Sequence, residues 1–206
     1  MVKSPIAYII YNRPRHTCET FEVIRSQRPD KLFIIADGPR SENRSDVECC
    51  REVREIVENI DWPCDVYRNY ADSNLGLKER VSSGLDWVFK QVDRAIVLED
   101  DCLPHPDFFS FCDALLDRYA EDERVWVITG NNFQDGRKRG NHSYYFSKYN
   151  HCWGWASWSR AWKHYSGGLP FWNEWKNSSD WKRKVPDKIE RQYWAKIFDT
   201  VSRGEI

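Results

Sequence analysis

The chain has 206 residues, 41% of them hydrophobic, with 31 basic and 32 acidic side chains and a formal net charge of -1. That length suits one sizeable core or at most two small domains. The balanced charge excludes a bulk basic surface for nucleic acid and a strongly acidic tail, so an anionic ligand would have to be met by locally placed cations.

The opening "MVKSPIAYIIYNRPRH" has one early lysine and a short apolar stretch broken by Asn12 and Arg13. It reads as a first strand over Ile6 to Tyr11 rather than a secretory signal. Cys18, Phe21 and Ile24 then fall at helical spacing. "KLFIIAD", Lys31 to Asp37, is a second strand ended by Gly38-Pro39. Ser45 and Glu48 have the form of a capping box, followed by a helical face of Val47, Cys50, Val53, Val57 and Ile60. "CDVYRN", Cys64 to Asn69, is a third strand, and a turn at Asn74-Leu75-Gly76 leads into a helix with the stripe Leu77, Val81, Leu85, Val88, Phe89 and Val92. The fourth strand, Ala95 to Leu98, runs into "EDDCLPHPDFF". Pro104 and Pro106 precede an amphipathic helix bearing Phe108, Phe109, Cys112, Leu115, Leu116 and Tyr119. "RVWVIT", Arg124 to Thr129, is a fifth strand.

Strand–helix alternation with near-continuous apolar strands predicts an α/β fold: a mostly parallel sheet with helices on both faces. After Gly130 the alternation fades, and nine of the eleven Trp lie from Trp126 onward. The Trp-rich segment, Trp153 to Trp194, reads either as the aromatic core of a small subdomain or as a platform on which sugar rings stack. No apolar run approaches the roughly 18 residues of a membrane-spanning helix, so no span is expected. The seven Cys are odd in number and form no CxxC pair, which argues for reduced thiols and a cytoplasmic location, at most peripheral to the inner face of the membrane. The five His show no metal-ligand spacing.

In open parallel sheets ligands sit outside the carboxyl ends of the strands. The residues after each predicted strand are Asn12 and Arg13; Asp37; Asn69, Asp72 and Asn74; Glu99, Asp100 and Asp101; and Asn131, Asn132 and Asp135. Three adjacent carboxylates repel one another, and a divalent cation removes that cost. Mg²⁺ and Mn²⁺ prefer carboxylate and water oxygens, and Mg²⁺ is usually held by one or two carboxylates plus substrate phosphates. A solvated acidic loop is the competing reading. "NLGLKER", Asn74 to Arg80, sets Lys78 and Arg80 in the first turn of a helix, where free N–H groups attract anions; an ordinary exposed helix start explains it equally well.

The segments "PIAYIIYNRP", "IIAD", "NLGLK" and above all "AIVLEDDCLPHPDFFSF" resemble glycosyltransferases of the GT-A fold, in particular family 2-like bacterial sugar transferases and the animal N-acetylglucosaminyltransferase of N-glycan branching. "CWGWASWSRAW" resembles that family's Gly/Trp-rich acceptor-side helix. The resemblance implies that Asp101 ligates a metal, Mn²⁺ or Mg²⁺. It implies that Asp100 and Glu99 meet ribose or donor sugar, that Arg13 and Asp37 contact the nucleotide, and that Arg80 and Lys78 lie near the diphosphate. Asn12 and Asn74 complete the expected nucleotide-sugar site. The resemblance further implies one domain over 1–206, with a nucleotide-sugar part at 1–135 and an acceptor-side part at 136–206, truncated before its catalytic base. That base is expected just beyond Ile206, with Asp135, Glu174 and Asp180 as substitutes.

The function so implied is metal-dependent, inverting transfer of a sugar from a nucleoside-diphosphate sugar to a carbohydrate or glycoconjugate acceptor. A sugar nucleotidyltransferase is the alternative enzyme, although "NRPRHT" lacks the Gly-rich triphosphate loop expected of one. A non-catalytic sugar- or nucleotide-binding module is the third reading.

Overall fold

The computed structural model describes residues 2–138 and 140–205. Four strands, β1 (Ile6–Ile10), β2 (Lys31–Ala36), β3 (Asp65–Tyr70) and β4 (Arg94–Glu99), pair in parallel. Two more, β5 (Val127–Thr129) and β6 (Trp155–Trp158), add antiparallel pairing to give the order β3-β2-β1-β4-β6-β5. Helices α1 (Pro14–Gln27), α2 (Arg44–Val57), α3 (Leu77–Phe89), α4 (Asp107–Arg118) and the short α5 (Ser159–Trp162) belong with this sheet. The expected α/β architecture is therefore present.

The two-residue period of the strands sorts their side chains onto two faces. Tyr8, Ile10, Ile34, Ile96 and Leu98 pack with Phe21, Ile24, Val53, Phe109 and Leu116 of α1, α2 and α4. Ala7, Ile9, Phe33, Ile35 and Val97 pack with Leu85, Val88 and Phe89 of α3. Both faces are covered, which is why β1, β2 and β4 read as unbroken apolar runs.

Several expectations are corrected. "CWGWASWSRAW" does not form a helix throughout: Trp155–Trp158 is a strand inserted between β4 and β5, and only Ser159–Trp162 is helical. The alternation of Ala156 and Trp158 with Trp155 and Ser157 suits a strand, and the Ser157 hydroxyl donates to the Trp126 carbonyl at 2.7 Å. The capping box at Ser45 is absent. Asn43 is the N-cap, and its side chain accepts from the Ser45 N–H. Val47, placed on the buried face of α2, is 56% exposed, whereas Asp46 beside it is buried. Leu77, placed in the stripe of α3, is exposed as well.

The chain divides into two compact units, Met1–Lys163 and His164–Ile206. The sheet thus runs past residue 135 to include β6. The second unit holds α6 (Trp172–Lys176), α7 (Ser179–Lys184) and α8 (Lys188–Ser202). Its core is Trp172, Trp181 and Val185 with Trp175, Trp194 and Phe198 packed around them. The Trp172 indole donates to Asp199 at 2.8 Å, and Lys176 pairs with the same carboxylate at 2.7 Å. In this unit Trp172 and Trp181 do structural work as buried rings, and the Trp172 N–H is satisfied. No helix among the described residues is long and apolar enough to cross a membrane, and all seven cysteines are free.

Ala156 lies opposite Ile96 and Ile128 and is fully buried. Ala156→Asp would therefore bury an unpaired charge in the sheet, an expected loss of about 3–5 kcal/mol in urea unfolding. A tolerated substitution would contradict the insertion of β6.

Candidate functional site

β1 is central, and the chain leaves it for β2 on one side and takes up β4 on the other. The carboxyl ends of β1 and β4 flank the point where strand order reverses, the usual ligand crevice of an open α/β sheet. The residues following these two strands meet there. Arg13 bridges two carboxylates, its Nη2 lying 2.7 Å from Asp100 and its Nη1 2.7 Å from Asp101. The Tyr11 N–H also donates to Asp100 Oδ2 at 3.3 Å.

The three acids differ in setting. The Asp100 side chain is 2% exposed and that of Asp101 43%. Thr20 of α1 donates to the Asp100 carbonyl at 2.9 Å, fixing the turn that aims this side chain inward. Burial raises the pKa of Asp100, and Arg13 counters it in part. Burial also raises Glu99, and its neighbours Asp101 and Asp100 add to the shift. For Arg13 burial works the other way, but the facing carboxylates prevail and its pKa is raised. Arg13 thus occupies the position at which a cation neutralises the cluster.

Asp37 and Asn74, expected at the nucleotide, form a closed clamp. Asp37 is buried, and its carboxylate accepts from the N–H groups of Gly38 (2.8 Å), Leu75 (2.9 Å) and Gly76 (3.1 Å) and from Asn74 Nδ2 (2.9 Å). A carboxylate has about four lone-pair sites, and these contacts fill them. Gly38 permits the loop to close: a Cβ there would lie 2.5 Å from the backbone of Ser73. In this arrangement Asp37 holds the turn before α3 and has no oxygen left for a base. Arg80, expected near a diphosphate, is only 5% exposed and donates to Asn69 O (2.6 Å) and Oδ1 (3.0 Å). It braces the end of β3 from beneath. Lys78 is exposed on the first turn of α3.

Asn12 is likewise committed, since its Nδ2 donates to Asp46 Oδ1 at 2.8 Å. Asp46 is the residue that sequence reasoning missed. This buried carboxylate accepts from Tyr11 Oη (2.8 Å), Asn12, Arg40 Nε (2.5 Å), Nη2 (3.0 Å) and N (3.4 Å), and Asn43 Nδ2 (3.1 Å). It ties the end of β1 to the start of α2. Bonding to Arg40 outweighs burial and holds its carboxyl below the usual range, with Tyr11 and Asn12 adding to the effect. Its signal was present in the sequence: Asp46, Cys50, Val53 and Val57 share one helical face, so an acid stands on a buried stripe.

A cavity of about 1310 Å³ opens beside Asp101. Phe108, Phe111 and Leu115 of α4 form one wall, Trp126 and β5 another, and residues within 131–138 and 142–154 a third. Asn131 and Asn132, flagged after the fifth predicted strand, line it. Of the substitute bases, Asp135 sits exposed in a turn at φ 51° and is not part of the wall, although Gln134 and Gly136 are. Glu174 and Asp180 are exposed side chains of the second unit, and Asp180 pairs with Arg183 at 2.8 Å. The base expected beyond Ile206 lies outside the described residues.

No family model matches the chain, and neither does any curated protein. Among solved structures that match is the 4-diphosphocytidyl-2C-methyl-D-erythritol synthase of Anaerococcus prevotii DSM 20548. It is 14% identical with a TM-score of 0.47, over 77% of this chain and 71% of that one. At that distance the likeness bears on neither substrate nor chemistry.

Among the described residues no group of three or more His, Cys, Asp or Glu side chains could cage a metal ion. The donor set nevertheless fits a divalent ion that brings most of its ligands with it. Asp101 is half-exposed at the mouth of the cavity, its Oδ2 held by a guanidinium that is itself 44% exposed. One such carboxylate with phosphate oxygens and water matches the habit of Mg²⁺.

Arg13→Ala is expected to lose about 1–3 kcal/mol at pH 7, less than a fully buried pair because Arg13 is partly solvated. The folded-state pKa of Asp100 lies above its unfolded value, so its protonation favours folding, and that gain disappears as pH rises through the folded pKa. Losing Arg13 raises the folded pKa further. The deficit should therefore shrink as pH falls toward about 4, and urea unfolding at several pH values would read it; a pH-independent deficit would contradict the pairing. Asp46 has the opposite sign. Its depressed folded pKa adds stability above the ordinary carboxylate pKa of about 4, and this is lost on acidification. The stability gap between the parent and Asp46→Asn should be widest at neutral pH and narrow in acid.

Proposed function

We propose that the chain is a metal-dependent, inverting glycosyltransferase that moves a sugar from a nucleoside-diphosphate sugar to a hydroxyl of a carbohydrate or glycoconjugate acceptor. The observation that carries this reading is the cluster of Arg13, Asp100 and Asp101 at the point where strand order reverses, with a cavity opening directly beside Asp101. A guanidinium and a half-exposed carboxylate on adjacent strand ends supply the two things a diphosphate requires: a fixed cation and an anchor for a mobile one.

In this reading Arg13 exchanges Asp101 for phosphate oxygens when donor binds and stays paired with Asp100. Asp101 would then hold the divalent ion, which supplies Lewis-acid neutralisation of the charge on the departing diphosphate. Asp100 keeps Arg13 in place from its buried side. Glu99, at the end of β4, stands next to the donor sugar. A carboxylate base taking the acceptor proton completes the chemistry, and Asp135, with its side chain off the cavity wall, is a poor choice for it.

The connection from β1 to α1 favours sugar transfer over nucleotidyl transfer. Only Tyr11, Asn12 and Arg13 separate Ile10 from Pro14, and none is glycine. So short a link leaves no loop of backbone N–H groups to wrap a triphosphate.

Titration with nucleoside diphosphates with and without Mn²⁺ tests the reading. Binding should tighten at least about tenfold with the ion, a difference of about 1.4 kcal/mol. Asp101→Asn should abolish that increment and sugar transfer with it. Pyrophosphate release from a nucleoside triphosphate and a sugar phosphate would mark a nucleotidyltransferase instead, and absence of any nucleotide binding would leave a non-catalytic module.

A further inference from the structure

Two features of the cavity beside Asp101 bear on what it binds. The first is aromatic exposure. Trp126, Tyr145, Phe146, Tyr149 and Trp153 line it and are 37–70% exposed. Exposed rings gathered on one concave surface are unfavourable in water unless something covers them. Phe133, 55% exposed, stacks edge-on against Trp153 at 5.8 Å and against His151 at 4.7 Å, which orients that end of the wall. Exposed rings and the side-chain amides of Asn131 and Asn132 in one lining suit a ligand with both C–H faces and hydroxyls. The volume, about 1310 Å³, exceeds the roughly 300–1,000 Å³ typical of drug-sized ligands.

The second is charge. Arg137, Lys138 and Lys148 all belong to the wall, while the one acid between 133 and 151, Asp135, does not. Arg137 and Lys138 are exposed and have no ion-pair partner among the described residues. Arg124, also in the wall, is by contrast already paired with Asp122 at 2.8 Å. The acids of the wall, Asp101 and Asp107, follow one another closely at the β4–α4 connection. A chain with net charge -1 thus sets two unpaired cations, Arg137 and Lys138, on the wall of an aromatic cavity.

We propose that this cavity is the acceptor subsite, and that it selects a saccharide bearing a negative charge, carboxylate or phosphate, over a neutral one. The rings stack on sugar faces, and Arg137 and Lys138 meet the anionic group. Calling the ligand an acceptor rests on the glycosyltransferase reading; the binding preference itself does not.

Three trisaccharides test it on the full chain by tryptophan fluorescence: neutral maltotriose, trigalacturonate, and maltotriose carrying one 6-phosphate. A charged trimer should bind roughly tenfold tighter than maltotriose at low salt, and the advantage should collapse near 1 M salt, where the screening length is about 3 Å. Whichever charged trimer binds better identifies the group as carboxylate or phosphate. The exposed double variant Arg137→Gln/Lys138→Gln should keep the parent's melting temperature and its affinity for maltotriose but lose the preference for charge. Trp153→Ala should weaken all three. Equal or tighter binding of maltotriose, or a ten-residue oligothymidylate that outcompetes both charged trimers, would overturn the proposal. Charged-trimer preference in a protein that binds no nucleotide with Mn²⁺ would uphold the charge-selective cavity while the glycosyltransferase reading fell.

Discussion

The pairing of one guanidinium with two carboxylates across the ends of β1 and β4 organises the rest of the site. A parallel sheet needs both of its faces buried, so its strand ends are the places where polar groups can gather near the interior. Asp100 is nearly fully buried there, which is tolerable because Arg13 and the Tyr11 N–H both face it. The same contacts leave Asp101 half-exposed and aimed at the mouth of the cavity. The pair therefore sets both the direction of the cluster and its appetite for a second cation.

Two other buried carboxylates show how differently the same side chain can be used. Asp37 has all of its oxygen valence filled by the turn that precedes α3, and Asp46 gathers Tyr11, Asn12, Arg40 and Asn43 into one knot. Both are frame rather than face. They fix the loops after β1 and β2, and Asp46 holds the residues on either side of the peptide that feeds Arg13 into the cluster. Removing either would act on the site by letting those loops move.

The parallel strands and the helices that cover them were legible in the sequence because burial on both faces imposes unbroken apolar runs and helical stripes. The cluster after β4 was legible for the same reason: three acids directly after such a run are conspicuous. What escaped was what depends on partners distant in the chain. β6 is four residues of mixed Trp, Ala and Ser whose strand character comes from lying between β4 and β5, whereas the resemblance implied a helix across the whole segment. The resemblance alone sets Asp37 and Arg80 at a ligand, and nothing in the sequence shows that Asn74 and the N–H groups of Gly38, Leu75 and Gly76 fill the Asp37 carboxylate, or that Arg80 is buried against Asn69. Asp46 was hidden by its exposed neighbour Val47, a reminder that an acid can stand on a buried stripe when enough donors converge on it.

The proposed chemistry requires the Arg13–Asp101 contact to open and admit a diphosphate and its ion. A crystal structure of the chain grown with a nucleoside diphosphate and Mn²⁺ would decide it. Arg13 should then lie on the phosphate oxygens and stay paired with Asp100, with Asp101 on the ion. Nucleotide bound elsewhere, with Arg13 still joined to both carboxylates, would contradict it.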